Sequence, residues 1–243
     1  MNKKVLLLVK DLNKLNEQID ALLHFFSVHD KLILAVFQED SEGDWPFRMY
    51  DLGWPVLQEE NLIRKLQHSG SLKKRSRAKW MESSSFLDMV VIHKNLLDAF
   101  RGQEEFENIL EEIHCPIFLM DENQTQFDEI FFSYNGTGAS FNSIKHFTYL
   151  FHPHFNNSLL NLVVKVNDKA LNLENCVYGY IRLHKRHFAI SRLFEEDYDS
   201  GIERLLDQSH NPLVICGGER KANLHQFLHY SDHRLEPSSM FLV

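Results

Sequence analysis

Three histidines, His225, His229 and His233, recur at every fourth position. On a helix that spacing would set them along one face, where a pair could share a zinc ion. Cys216 is near in sequence. The chain holds 14 histidines, so such spacings arise easily, and the order of elements read below puts residues 221–229 in a loop. The trio is expected to be a solvated polar face, and no metal is expected. His184-Lys185-Arg186-His187 reads as surface as well. Lys73-Lys74-Arg75, Arg77 and Lys79 crowd positive charge beside Trp80, a pairing that could meet RNA or an anionic partner. Against a net charge of −8 the plainer reading is an exposed loop or edge, where lysine also blocks strand-to-strand association. Gly217-Gly218 follows an apolar run and reads as a strand-ending turn. There is no Gly-x-Ser-x-Gly elbow, no His-Glu-x-x-His and no Walker loop. No catalytic residue and no enzyme activity are expected.

Composition narrows the setting. Of 243 residues 44% are apolar and 25% charged, enough for one large core or two ordinary ones. Gly (10) and Pro (6) are too scarce for collagen-like or linker-dominated chains. With 26 basic against 34 acidic side chains, nucleic acid is not expected as a partner. The histidines make the charge sensitive to mild acidification. Cys115, Cys176 and Cys216 form no C-x-x-C and are odd in number, which speaks against a disulfide framework and for a reduced, cytoplasmic setting. The apolar run Val5 to Val9 meets Lys10 and Asp11 at once. It is shorter than the roughly 7–15 residues of a secretory leader. Nothing approaches the ~20 residues of a membrane span, so no membrane partner is expected.

The elements follow from periodicity. Val5 to Val9 is a continuous apolar run, as in a strand buried on both faces. Leu15, Ile19, Leu22, Leu23 and Phe26 make one helical stripe. Lys31 to Phe37 is a second strand, completing a β-α-β unit and predicting a parallel sheet. The series begins again with Glu129 to Tyr134, the turn Asn135-Gly136-Thr137, a helix stripe Phe141, Ile144, Phe147 and Phe151, and a strand from Leu159 to Val166. Thr137 or Ser140 would cap that helix. Asp11 and Asn135 stand 124 positions apart, as do Val90-Val91-Ile92 and Val214-Ile215-Cys216, and Ile117-Phe118-Leu119 and Phe241-Leu242-Val243. The shared offset predicts two copies of one unit, 1–124 and 125–243, meeting at a polar joint. Within the first copy, residues 41–57, with Trp45, Pro46, Trp54 and Pro55, read as an irregular loop. Glu59 to Leu66 reads as a helix, and the third strand is placed in the basic segment 72–80. In the second copy Ala189 to Phe194 reads as a strand and Asp199 to Gln208 as a helix with Ile202, Leu205 and Leu206 inward.

Leu8-Val9-Lys10-Asp11-Leu12-Asn13 and Phe132-Ser133-Tyr134-Asn135-Gly136-Thr137, each a strand running into its turn, together with the late strand, glycine loop and final short strand, resemble the universal stress protein family over almost the whole chain. The resemblance implies two tandem, doubly wound, Rossmann-like α/β domains, each with a five-stranded parallel sheet. It implies an internal pseudo-dimer through the short final strands Pro116 to Met120 and Met240 to Val243, and leaves a further homodimer and an unidentified protein partner open. ATP-binding members carry Gly-x-x-Gly, nine residues, then Gly-Ser or Gly-Thr, because backbone amides must approach phosphate oxygens closely. In the second copy those places hold Gly217, Arg220, Tyr230 and Ser231, and the family's turn aspartate is Asn135. In the first copy they hold His93, Leu96, Phe106 and Glu107, although Asp11 keeps the acidic group. The implied nucleotide site is therefore degenerate, drawn from Asp11, Asn135, Gly217, Arg220 and Ser231, with Arg220 able to neutralise a phosphate. Asn135 reads first as a helix-initiating turn residue. No cofactor is expected; ATP or another nucleotide bound in the second copy is the alternative. The implied role is stress-linked binding or regulation without turnover.

Overall fold

A computed structural model describes residues 3–10, 14–26, 30–37, 47–53, 85–100, 104–121, 124, 126–151, 157–166, 171–218, 223 and 239–243. The chain divides into two compact units, Met1–Thr125 and Gln126–Val243.

In the first unit Val5 to Val9 are fully buried inside strand β1 (Lys4–Val9), which explains their uninterrupted apolar character. β1 lies between β2 (Lys31–Phe37) and β4 (Met89–His93), parallel to both. β5 (Ile117–Met120) continues the sheet in parallel beside β4. Helix α1 (Leu15–Leu23) follows β1, and Leu15, Ile19, Leu22 and Phe26 are buried as the stripe predicts. Two short helices, α2 (Lys94–Ala99) and α3 (Glu104–Glu112), lie between β4 and β5.

The other edge corrects the sequence reading. Strand β3 (Phe47–Gly53) runs inside the span read as a loop, and it is antiparallel to β2. The sheet of this unit, in the order β3-β2-β1-β4-β5, is therefore mixed, not parallel throughout. The reason is length. Only residues 38–46 join β2 to β3, too few for the dozen or more residues that a parallel crossover needs. The expected strand at 72–80 and helix at 59–66 lie outside the described residues. Phe47 is buried against a stack of Phe100 and Phe106, whose ring centroids are 4.4 Å apart.

The second unit holds β6 (Glu129–Tyr134), α4 (Gly138–Phe151), β7 (Leu159–Val166), α5 (Leu171–His184), β8 (Ala189–Phe194), a 3₁₀ turn (Glu195–Asp197), α6 (Tyr198–Asp207), β9 (Pro212–Cys216) and β10 (Ser239–Leu242). Its strands run in the order β10-β9-β6-β7-β8 and all four pairings are parallel. Here the sheet is the expected one. Its core is aromatic: Phe147 meets Phe132, Phe151 and Phe241 at centroid distances of 5.8, 4.9 and 5.6 Å. At the amino ends of β6 and β9, Asn211 Nδ2 donates to Asp128 Oδ2 (2.7 Å) and Ser209 Oγ donates to Glu129 Oε2 (2.9 Å). These bonds tie the two strands together opposite the end where a ligand crevice would open.

In both units the sheet order, numbered within the unit, is third, second, first, fourth, fifth. The registers also correct the constant offset. Val91 lies between Leu7 and Phe118, and Ile215 lies between Phe132 and Phe241. If Val91 matches Ile215 at 124 positions, Leu7 matches Phe132 at 125 and Phe118 matches Phe241 at 123. The offset is therefore not constant: it is 125, 124 and 123 at the first, fourth and fifth strands, and 128 at the second, where Leu34 matches Leu162.

Candidate functional site

In a sheet of this order a ligand crevice opens beyond the carboxyl ends of the first and fourth strands. In the second unit these are β6 and β9. β6 leads into the turn Asn135-Gly136-Thr137, where Gly136 has φ +84°, a conformation that glycine adopts without a Cβ penalty. Asn135 Oδ1 accepts from the Thr137 amide (3.2 Å) and the Thr137 hydroxyl (2.6 Å). Thr137 Oγ1 in turn accepts from the Ser140 amide at 3.2 Å. Thr137 is thus the N-cap of α4, the first of the two predicted candidates. Ser140 instead donates its hydroxyl back to the Thr137 carbonyl (2.9 Å). Asn135 organises its own turn, as its residue type suggested. The amides of Gly138 and Ala139 have no acceptor within the helix, and no acidic side chain stands in this first turn.

β9 ends at Cys216, and Gly217 follows. A Cβ on Gly217 would lie 2.3 Å from the Ala139 carbonyl oxygen and 2.9 Å from Ser140 Cα. The glycine is therefore needed for the strand end to press against the first turn of α4. This is a demand of packing, beyond the turn role read from sequence. Gly218 has φ +124° and open space around it, and it makes the turn itself. Arg220 and Ser231, expected to complete an anion pocket, lie outside the described residues, as does Asp11. So do His225, His229 and His233 and the basic run 73–79. Among the described residues no group of three or more His, Cys, Asp or Glu side chains could hold a metal ion.

Under the crevice sits a polar pair that sequence reasoning did not single out. Ser133 Oγ and Tyr198 Oη are 2.7 Å apart, Tyr198 being the first residue of α6. Burial raises the phenol pKa well above its ordinary value, partly offset by the Ser133 bond. Burial also pushes the Cys216 thiol up to about 12, again with an opposing bond from Ser133. A thiol held neutral in this way is no nucleophile. The one sequence signal was Ser133 itself, a hydroxyl inside an apolar strand.

Among the described residues the first unit lacks this construction. β4 runs straight into α2, with His93 at the helix cap in extended backbone (φ −78°, ψ 146°). His93 stands where the second unit has Gly217. It is fully buried, neither ring nitrogen has a hydrogen-bonding partner among the described residues, and burial depresses its pKa to about 4. Leu96 and Phe106, at the other glycine positions, are core residues. Gln18 on α1 is also buried, with its amide unpartnered among the described residues.

No family model matches the chain, and no curated protein matches it. A universal stress protein from Archaeoglobus fulgidus is similar in structure, with a TM-score of 0.55 over 97% of both chains at 9% sequence identity. At that identity the likeness concerns architecture: the chain has the α/β, Rossmann-like fold of a universal stress protein.

Proposed function

We propose that this chain is a cytoplasmic binding or regulatory protein of the universal stress protein type, without catalytic turnover and with lost or weakened ATP binding. One observation carries the reading: Gly217, the sole glycine left from the resemblance's phosphate motif, is committed to packing against Ala139. Three further features support it. Arg220 and Tyr230 stand at glycine positions of that motif, Asn135 Oδ1 is engaged inside its own turn, and His93 fills the corresponding position of the first unit. No helix among the described residues is long and apolar enough to cross a membrane, which is compatible with the proposed setting.

A second reading keeps a nucleotide in the crevice of the second unit. It rests on the leading amides of α4 beside the unobstructed Gly138 and Gly218, an arrangement able to receive an anion. Calorimetric titration of the full chain with ATP and with AMP separates the two. Absence of saturation up to millimolar nucleotide supports the first reading, and a micromolar site supports the second.

A further inference from the structure

Strand β8 closes one side of the second unit's sheet. It pairs with β7, and among the described strands nothing lies on its other side. Such an edge presents unpaired amides and carbonyls to solvent. Unlike the buried strands, β8 is exposed along most of its length. Ile190 is 41% exposed and Phe194 62%. They lie on the same face of the strand, with Arg192 between them held by Glu174 at 2.6 Å. Two large apolar side chains in water beside open backbone groups are the ordinary makings of an association surface.

The charge along the segment says what it would associate with. Before the strand stand Lys185, Arg186 and His187. After it stand Glu195, Glu196 and Asp197. The carboxylates are exposed, as are Arg186 and His187. A strand that is basic at its start and acidic at its end complements itself when laid antiparallel on a second copy. We propose that β8 is the contact of a symmetric homodimer, joined edge to edge as an antiparallel pair centred on Ser191.

The register is set by residue parity and charge. A two-fold axis normal to the sheet keeps each side chain on its own face, so residues of like parity must stand opposite each other. Centring on Ser191 places Phe188 opposite Phe194 and Ile190 opposite Arg192. The flanks then bring the basic segment Lys185-Arg186-His187 of one copy beside the acidic 3₁₀ turn Glu195–Asp197 of the other, twice by symmetry. Arg186 and Glu196 are the pair left for this contact, since within each copy Glu195 meets Lys165 at 2.9 Å and Lys185 donates to the Ser158 carbonyl. Centring on Arg192 would set two like charges face to face, which is destabilising. The contact uses none of the crevice residues and does not depend on what the crevice binds.

Sedimentation equilibrium on the full-length chain, with charge-swap variants, tests this. Arg186 and Glu196 lie at opposite ends of β8 in one copy, so an interaction between them must come from the partner. The parent chain should reversibly dimerise. Arg186→Glu alone and Glu196→Arg alone should each weaken the dimer roughly tenfold, since two attractive pairs become repulsive. The double variant should return to near the parent value. Phe194→Lys should leave a folded monomer by circular dichroism. A chain that stays monomeric at its highest soluble concentration would overturn the proposal. So would a dimer indifferent to the single changes, or one that the double variant fails to restore.

Discussion

At Gly217 and Thr137 single side chains decide how the second unit's crevice is built. Gly217→Ala must move the Ala139 backbone, since the new carbon would lie 2.3 Å from its carbonyl oxygen. Overpacking of this kind costs about 1–3 kcal/mol, and backbone on both sides of the contact places it at the upper end. Gly138→Ala meets nothing within 4 Å and should change stability by less than about 0.5 kcal/mol. Urea unfolding of the two variants checks the contrast; equal midpoints would remove the packing role of Gly217. Thr137→Ala should cost about 1 kcal/mol through the lost cap bond to Ser140, read in the same way. His93 gives a pH dependence in the first unit. Burial holds it at about 4 when folded, against the ordinary 6.5 of an exposed histidine. Between those values the unfolded chain binds more protons, so stability rises with pH there. Stability is complete above about 6.5 and falls as pH drops toward 4, by about 3 kcal/mol at most. Replacement by leucine should flatten that slope in unfolding experiments run from neutral to acid pH. An unchanged slope would show that His93 does not titrate as its burial requires.

The strands differ in how openly the sequence declares them. β1 holds the uninterrupted apolar run Val5 to Val9 because both its faces are covered, β6 holds Ile130-Phe131-Phe132 before Ser133 interrupts it, and α1 and α4 carry stripes at helical spacing. β10 is short, yet its Phe241 is fully buried, with ring contacts to Phe147 and Phe151 at 5.6 and 5.8 Å. Phe241→Ala should therefore cost about 3–5 kcal/mol, a large share of a domain stability of about 5–15 kcal/mol. An unchanged thermal midpoint would make this segment a frayed end, not the closing strand. β3 was hidden because Arg48 and Asp51 break its apolar residues into short pieces with neither a helical nor a strand period, and Trp45, Pro46, Trp54 and Pro55 gave its surroundings the look of a loop. The varying offset has a related cause. When both faces of a strand are buried, two apolar runs match equally well after a shift of one residue, since every position is similarly hydrophobic. At the site, Asn-Gly-Thr announced a turn and a cap through local chemistry. The packing role of Gly217 and the meeting of Ser133 with Tyr198, 65 positions later, are tertiary facts with no local signature. His93 was visible only as a missing glycine, and its burial came from the structure.

Among the described residues, the second unit alone combines a glycine turn with an exposed helix start beside it. The first unit replaces that turn with a buried histidine and a helix. In the proposed reading this asymmetry leaves one degenerate crevice and no catalytic centre. A hydrogen bond from a glycine amide to a phosphate oxygen is worth about 1–3 kcal/mol, and each 1.4 kcal/mol is about tenfold in affinity. Without two such bonds a micromolar site would move to the millimolar range or beyond. The most direct measurement is isothermal titration of the full-length chain with ATP. The account predicts no saturable binding below about 1 mM. A stoichiometric site with a micromolar dissociation constant would contradict it.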